Sequence, residues 1–180
     1  MLILRLLNAS LLVFLFGFLF QSSLGTIDTE ELFVFAYQKN TLQEHLSNTS
    51  VNDSKYLKGY LIIDQYKLFV DIALTDKQKQ DGLSIKNSMK ENEGMLFFLE
   101  EPRKASFWMK NMHFPIDIFW LDENFTIVHI EKTLSPCTST FYCPSYTPLK
   151  ESLYVLETIS GFSNKHNIKI GDKIDFHLIG

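Results

Sequence analysis

From residue 57 onward, the chain consists of short apolar runs separated by polar turns. Residues 122–124, Asp-Glu-Asn, fit a hairpin turn between two of these runs. The runs have the length of β-strands and are rich in Ile, Val, Phe and Tyr, which favour extended backbone. The pattern therefore predicts seven strands, at 57–63, 66–74, 95–99, 116–121, 125–130, 153–159 and 173–179.

Helical signals in the same region are few. Thr75 and Gln78 have the spacing of a capping box, which predicts a helix of about two turns that ends near Gly82. A second short helix is predicted at 161–166. Such sparse helices exclude the regular strand and helix alternation of a parallel sheet. We therefore predict a mainly β (α+β) fold, either an antiparallel β-sandwich or a partly open barrel, with one or two short helices.

The first 25 residues have a different pattern. Arg5 precedes an apolar stretch at 11–20 that is broken only by Gly17, and Ser23-Leu24-Gly25 has the small residues of a cleavage site. These features predict a secretory signal peptide at 1–25. A retained N-terminal anchor is the alternative, because the apolar stretch approaches the ~20 residues of a membrane-spanning helix. The predicted location is extracytoplasmic, either secreted or anchored to the outer face of the cytoplasmic membrane.

A polar segment separates this N-terminal stretch from the predicted strands. Residues 40–55 are rich in Asn, Ser, Thr and Lys, and so few apolar residues cannot offset the entropy of ordering. We therefore predict a linker at 26–56 and a single β-rich domain at 57–180. Asn48, Asn52 and Asn124 match the acceptor pattern for N-glycosylation in an exported chain.

Composition and charge restrict the classes of function. The chain has 180 residues, of which 46% are hydrophobic, and this suits one globular domain rather than a multidomain assembly. The 17 basic and 21 acidic side chains give a net charge of -4. Recognition of nucleic acid normally requires a basic surface and a high isoelectric point. We therefore predict that nucleic acid is not a partner.

Two acidic residues interrupt apolar rows of predicted strands. Side chains alternate between the faces of a strand, so Asp117 shares a face with Phe119 and Leu121. By the same argument Glu157 shares a face with Val155 and Ile159. A buried carboxyl group without a partner is costly. Both acids should therefore point inward and have hydrogen-bond donors nearby.

Trp108, Lys110 and Asn111 are the expected donors, because they precede Asp117 in the same segment. One interpretation is a polar pocket that binds a ligand, with Lys110, Asp117 and Glu157 also candidates for catalysis. The alternative is a structural network that holds the loop at 108–115 against the sheet. No nucleophile motif, phosphate-binding loop or dinucleotide-binding turn accompanies these residues.

The segment at 108–113 also concentrates soft metal ligands. Thioethers of Met109 and Met112 with the imidazole of His113 would favour Cu(I) or another soft ion. Methionine is also a common core residue, and a lone histidine is more often at the surface. In an extended segment the two methionines would point to opposite sides, so a turn at Asn111 would be needed. We therefore predict no bound metal or other cofactor, with these three residues as the candidates for one.

The two cysteines of the chain, Cys137 and Cys143, lie in one loop that is rich in Pro and Ser. In an exported protein this predicts a disulfide that pins the loop. A redox pair would prefer a two-residue spacing, and a thiolate metal site would need further ligands. Tyr142 and Tyr146 in the same loop are candidates either for a recognition surface or for covering the sheet.

Several motifs occur in the order and spacing of a known family. The chain resembles domain-of-unknown-function family 192 from about residue 57 to 180, on the segments Asp81-Gly82-Leu83, Gly94-Met95-Leu96-Phe97-Phe98, Phe107-Trp108-Met109-Lys110-Asn111, Pro115-Ile116-Asp117-Ile118, Tyr154-Val155-Leu156-Glu157, Gly161 and Gly171-Asp172. The resemblance implies a small mainly β fold, often behind a signal peptide, and no established activity.

We therefore predict an exported, single-domain protein that binds a small ligand or an envelope component. The binding residues would be Trp108, Lys110, Asn111, Asp117 and Glu157. The first alternative is a hydrolase or lyase that uses Asp117 and Glu157 as acid and base. The second is a soft-metal protein that binds copper through Met109, Met112 and His113.

Overall fold

The structure is a computed structural model that describes residues 56–179. The predictions of a signal peptide at 1–25, of a linker up to residue 55, and of glycosylation at Asn48 and Asn52 lie outside these residues. Asn124 is exposed in the turn that was predicted at 122–124. None of the helices in the described part is long and apolar enough to cross a bilayer.

In the described residues, nine strands form two sheets. They are β1 (Leu57–Ile63), β2 (Tyr66–Ala73), β3 (Glu93–Arg103), β4 (Phe107–Trp108), β5 (Ile116–Leu121), β6 (Ile127–Leu134), β7 (Ser145–Tyr146), β8 (Ser152–Ile159) and β9 (Asp175–Ile179). Seven strands form one sheet in the order β6-β5-β8-β3-β2-β1-β9, and β4 pairs with β7 in a second sheet. All seven predicted strands are present, and the described residues form no closed barrel.

One strand pair departs from the antiparallel sheet that was predicted. β2 and β3 are parallel, whereas the other pairs in the large sheet are antiparallel. The connection between β2 and β3 contains helix α1 (Asp76–Asp81) and a 3₁₀ turn (Gly82–Ile85). It is long enough to bring the chain back to the end of the sheet at which β2 begins, so that β3 can run in the same direction. The two-residue strands β4 and β7 were not predicted, because so short a run has no periodicity.

The capping box is confirmed. The Thr75 hydroxyl accepts a hydrogen bond from the Gln78 N–H at 3.2 Å, and Gln78 Oε1 accepts from the Thr75 N–H at 3.1 Å. The helix ends at Gly82, whose φ of 49° lies in a region that side chains disfavour. The second predicted helix is also present, as α2 (Phe162–Lys165). Both short helices connect strands rather than forming a layer of their own.

The large sheet is covered on both faces. Strand pairing places Met95, Phe97 and Val155 on one face, which we call the front face and which packs against Leu83 of the 3₁₀ turn. Leu96, Leu156 and Phe119 lie on the opposite back face, where the Phe119 ring meets Phe162 of α2 edge-on. All six residues of β5 are buried, as expected for a strand with apolar cover on both sides.

The predicted disulfide between Cys137 and Cys143 is confirmed, with 5.8 Å between the two Cα atoms. The loop that it closes precedes β7, and the Cys137 N–H donates to the Met109 carbonyl at 2.9 Å. The loop is therefore fixed to the segment that follows β4. Phe141 and Tyr142 within it are exposed, so this loop adds little to the apolar core.

We expect a modest loss of stability when this disulfide is removed. The double substitution Cys137→Ser/Cys143→Ser should lower the free energy of unfolding by about 2 kcal/mol, the chain-entropy value for so small a ring. Urea unfolding followed by circular dichroism would measure the difference. A loss of folding altogether would show that the loop is part of the core.

Candidate functional site

Asp117 is buried on the back face and has hydrogen bonds to both oxygens. Oδ1 accepts from the Thr133 N–H at 2.8 Å and from the Gly161 N–H at 3.1 Å. Oδ2 accepts from the Ser163 N–H at 2.9 Å and from the Ser163 hydroxyl at 2.7 Å. The carboxylate thus joins β5 to β6 and to the start of α2.

Local backbone geometry makes these donors available. The β5–β6 ladder is irregular between Ile116 and Ile118, and Thr133 opposite this point has a φ of 55°. A bulge of this kind releases a backbone N–H from the strand ladder. The inward orientation predicted for Asp117 is confirmed, but its donors are not the Trp108, Lys110 and Asn111 that the sequence suggested. The arrangement is that of a structural residue.

Glu157 is buried on the front face, with 5% of its surface exposed. Burial raises the pKa of its carboxyl group to about 8, while a hydrogen bond from the Leu83 N–H acts in the opposite direction. Oε2 has no hydrogen-bond partner among the described residues. At neutral pH this side chain is therefore mainly a neutral carboxylic acid, which can both donate and accept a hydrogen bond.

The register between β5 and β8 separates the two acids. Ile118 lies directly opposite Glu157, and Asp117 lies opposite Thr158. Paired residues point to the same face of a sheet, and successive residues point to opposite faces. Asp117 and Glu157 are therefore on opposite faces of a fully covered sheet. The structure does not bring them together as an acid/base pair.

A cleft of about 910 Å³ opens on the front face above Glu157. Its walls come from α1 and the 3₁₀ turn on one side, and from the segment between residues 103 and 112 on the other. A Cβ at Gly82 would lie 3.5 Å from the Phe97 ring and 4.0 Å from Glu157 Oε2. These are ordinary van der Waals distances, so the positive φ of Gly82, and not a lack of space, favours glycine beside the buried carboxyl group.

The cleft is lined by five cationic side chains, which are Lys77, Lys79, Arg103, Lys104 and Lys110. Among the residues that the structure describes, Asp81 and Glu157 are the acidic residues of this lining. Lys77 is paired with Asp81, and Lys79 lies 3.7 Å from Glu100. Arg103, Lys104 and Lys110 form no ion pair within the described part of the chain. Because five cations line it against two acids, the cleft carries a net positive charge within a chain of net negative charge.

Three of the predicted binding residues line the mouth of this cleft. Trp108 is 54% exposed, and Lys110 Nζ lies 5.3 Å from the centre of its ring. Asn111 has a left-handed φ of 62° and turns the chain at this point. The lining of the cleft thus contains Trp108, Lys110, Asn111 and Glu157, whereas Asp117 lies on the opposite face of the sheet.

The predicted soft-metal ligands do not converge. Met109 and Met112 are buried in the front-face core, whereas His113 is exposed. The turn at Asn111 is present, but it serves to place both methionines among apolar side chains. No group of three or more His, Cys, Asp or Glu residues in the described part could hold a metal ion.

Sequence reasoning missed four cationic residues of the cleft and Gly82. Lys77 and Lys79 lie on α1, and Arg103 and Lys104 lie at the end of β3, more than 20 residues away in the chain. Nothing in either segment alone indicates that the two face each other. The one feature of the sequence that marked this site was Gly82, the glycine at the end of the helix predicted from the capping box.

Two solved structures resemble this fold. One is a protein provisionally named a transcription regulator from Sinorhizobium meliloti, which is 26% identical with a TM-score of 0.61 and covers 69% of this chain and 98% of its own. The other is a protein of unknown function from Novosphingobium aromaticivorans, at 23% identity and a TM-score of 0.59, which covers 71% of this chain and 89% of its own. The second likeness concerns the fold alone.

No curated protein shows significant similarity to the chain. A family model does match, over residues 61–176, and it carries the description "Uncharacterized ACR". The matched range runs from β1 to β9 and contains Trp108, Lys110, Asn111 and Glu157. The chain therefore belongs to domain-of-unknown-function family 192, DUF192.

Proposed function

We propose that this domain is a binding module whose front-face cleft holds an anionic group of a small polar ligand. The observation that carries the proposal is Oε2 of Glu157, a buried polar atom at the base of the cleft that has no partner among residues 56–179. Buried polar groups are almost always hydrogen-bonded. A ligand oxygen that accepts the Glu157 proton would satisfy this atom.

The charge of the cleft supports an anionic ligand. Three of the cationic lining residues, Arg103, Lys104 and Lys110, have no acidic partner in the described structure. Clustered charge of one sign in a concave surface raises the local concentration of oppositely charged ligands. A carboxylate or a phosphate bound here would gain charge-assisted hydrogen bonds, which are stronger than neutral ones.

Trp108 supports a ligand that also has an apolar face. More than half of this side chain is exposed at the mouth of the cleft, although indole rings are usually well buried. Aromatic side chains at binding sites provide large contact areas with little loss of conformational entropy. Acidic sugars and sugar phosphates combine an anionic group with a ring, so they are the first compounds to test.

The enzyme alternative has less support than binding. It required Asp117 and Glu157 to act on one substrate, and the two carboxyl groups lie on opposite faces of the sheet. All the strong acceptor positions of Asp117 are also engaged by backbone and hydroxyl donors. The copper alternative likewise lacks a set of converging ligands.

We also propose that the protein is exported. The disulfide between Cys137 and Cys143 is compatible with an oxidising compartment. The N-terminal pattern of Arg5 followed by an apolar stretch supports the same location. The name of the Sinorhizobium protein would suggest a nucleic-acid partner, but the net charge of -4 in the present chain argues against that partner.

Matched pairs of compounds test the binding proposal. We expect galacturonate and glucose 6-phosphate to bind more tightly than galactose and glucose, by about tenfold or more, because only the acids can pair with the cleft cations. Amide chemical-shift changes during titration at neutral pH would measure each dissociation constant. The changes should map to residues around Glu157 and Lys110.

Two variants of cleft residues and one control variant test whether the cleft is the binding site. Lys110→Gln should weaken binding of the acids about tenfold, the effect of losing one charged hydrogen bond. Glu157→Met should do the same by removing the donor at the base of the cleft. Lys169→Gln removes an exposed charge outside the cleft and should leave binding unchanged. Equal affinities for acids and neutral sugars, or no binding of any of the four, would contradict the proposal.

A further inference from the structure

We propose that the end of the domain that carries the disulfide loop docks onto the surface of an anionic lipid bilayer. This end consists of β4, β7 and the segment from residue 137 to 149, and we call it the loop end. It shares Trp108 with the mouth of the cleft but does not contain Glu157, and the proposal does not depend on the ligand proposed above.

Apolar side chains are unusually exposed at the loop end. Phe141 is 99% exposed, Leu149 is 81% exposed and Tyr142 is 74% exposed. Trp108 lies on the strand that pairs with β7, where its partner Ser145 follows the disulfide by two residues. Half of the eight large apolar side chains that are exposed in the described residues therefore lie at this one end. A cluster of this kind marks an interaction surface rather than ordinary exposure.

Several contacts hold these side chains outward. The disulfide closes the ring around Phe141 and Tyr142, and the Ser139 hydroxyl accepts hydrogen bonds from both of their N–H groups, at 3.2 and 3.1 Å. The Ser106 and Thr147 hydroxyls are 2.7 Å apart and tie the two segments together. The exposure is therefore built into the fold, and docking would require little further ordering of the backbone.

The charge of the loop end favours an anionic surface as its binding partner. There is no Asp or Glu among residues 104–116 or 132–150, although the chain has 21 acids in 180 residues. Lys104, Lys110 and Lys150 lie in or beside these segments, and none of them forms an ion pair in the described structure. The acidic residues resume at Glu151. The two segments thus carry cations and no acidic side chain up to residue 150.

This combination fits the interface of an anionic membrane. Trp and Tyr are enriched where bilayers meet water, and lysines near the surface are attracted to anionic headgroups. Phe141 and Leu149 are apolar side chains at exposed positions, where insertion into the acyl boundary would bury them. The N-terminal sequence also predicts export or anchoring, which would place the domain near a membrane.

Fluorescence of Trp108 provides a site-specific test with the full chain. Trp108 is exposed, whereas Trp120, the other tryptophan, is fully buried. We expect brominated lipid to quench Trp108 in vesicles of phosphatidylcholine with about a third phosphatidylglycerol, where lysines gain attraction to the surface. Vesicles of phosphatidylcholine alone should give at least about fivefold weaker binding. Sedimentation with vesicles is not sufficient, since the apolar N-terminal stretch could itself cause it.

Paired variants separate the loop end from other apolar surfaces. Phe141→Ser/Leu149→Ser should abolish the quenching, and both positions are exposed enough for the fold to remain intact. The control Ile170→Ser/Ile179→Ser removes exposed apolar side chains elsewhere and should leave quenching unchanged. Quenching that persists without Phe141 and Leu149, or that is equal in neutral vesicles, would overturn the proposal. Absence of quenching in both kinds of vesicle would also overturn it.

Discussion

The free energy of unfolding of this domain should fall by up to about 5 kcal/mol as the pH rises from below 4.5 to above 8, and Glu157→Gln should remove this decrease. The pKa of the Glu157 carboxyl is raised by burial from 4.5 to about 8. Between these values the unfolded chain has lost the proton and the native protein has kept it. Raising the pH therefore favours the unfolded state, because that state binds fewer protons.

The same reasoning gives the sign of the mutational effect. Below about pH 4.5, wild type and Glu157→Gln should have similar stability, since both side chains are neutral in both states. Near pH 8 the variant should be more stable by up to about 5 kcal/mol, because it has no charge to desolvate. Urea unfolding of both proteins at a series of pH values would measure the difference directly.

An exposed acid provides the matched control. Glu101→Gln removes a carboxyl group at the solvent-exposed end of β3 and should leave the pH profile of wild type unchanged. Titration of Asp71 should affect stability in the opposite direction, because the stability that this carboxylate contributes is lost as the pH falls. Burial acts to raise its pKa, but hydrogen bonds from Lys58 and Lys86 outweigh burial and hold it below 3.8. Parallel pH profiles for wild type and Glu157→Gln would contradict the assignment of a neutral Glu157.

Asp117→Ala should lower the free energy of unfolding by about 4 kcal/mol. The substitution leaves the N–H groups of Thr133, Gly161 and Ser163 without their acceptor in a buried site. Each buried donor without a partner costs about 1–3 kcal/mol. The lost acceptor also frees the start of α2 from β5. Chemical unfolding at neutral pH would measure the loss.

Two graded variants test the cause of this loss. Ser163→Ala removes one hydroxyl donor and leaves the carboxylate with its three backbone partners, so it should cost about 1 kcal/mol. Asp117→Asn keeps one acceptor oxygen and should lie between the other two variants. A cost below about 1 kcal/mol for Asp117→Ala would show that water replaces the carboxylate, which would argue against its structural role.

Local sequence pattern predicted much of the fold. The seven apolar runs became strands because their side chains suit a pleated, half-buried surface, and the capping box formed because its partners are three residues apart. Alternation within one strand also predicted the burial of Asp117 and Glu157 correctly. Each of these features depends on residues that are neighbours in the chain, so the sequence contains all the information needed.

The partners of the two acids depend on distant residues. Asp117 contacts Thr133 and Ser163, which are 16 and 46 positions away, and no local pattern indicates which backbone N–H groups a bulge will release. The proximity of Lys110 to Asp117 in sequence was therefore misleading. Local sequence likewise could not predict strand direction, because the parallel pairing of β2 with β3 is set by the path of the connection between them.

By itself, the sequence determined which segments form strands, which acids point inward and where the disulfide closes, because alternation, capping and loop closure act over a few residues. Only the tertiary structure decided that Asp117 and Glu157 lie on opposite faces, since that depends on the register of β5 against β8. It also decided that cations from α1 and the end of β3 surround Glu157. Sheet order and register are set by the packing of the whole core.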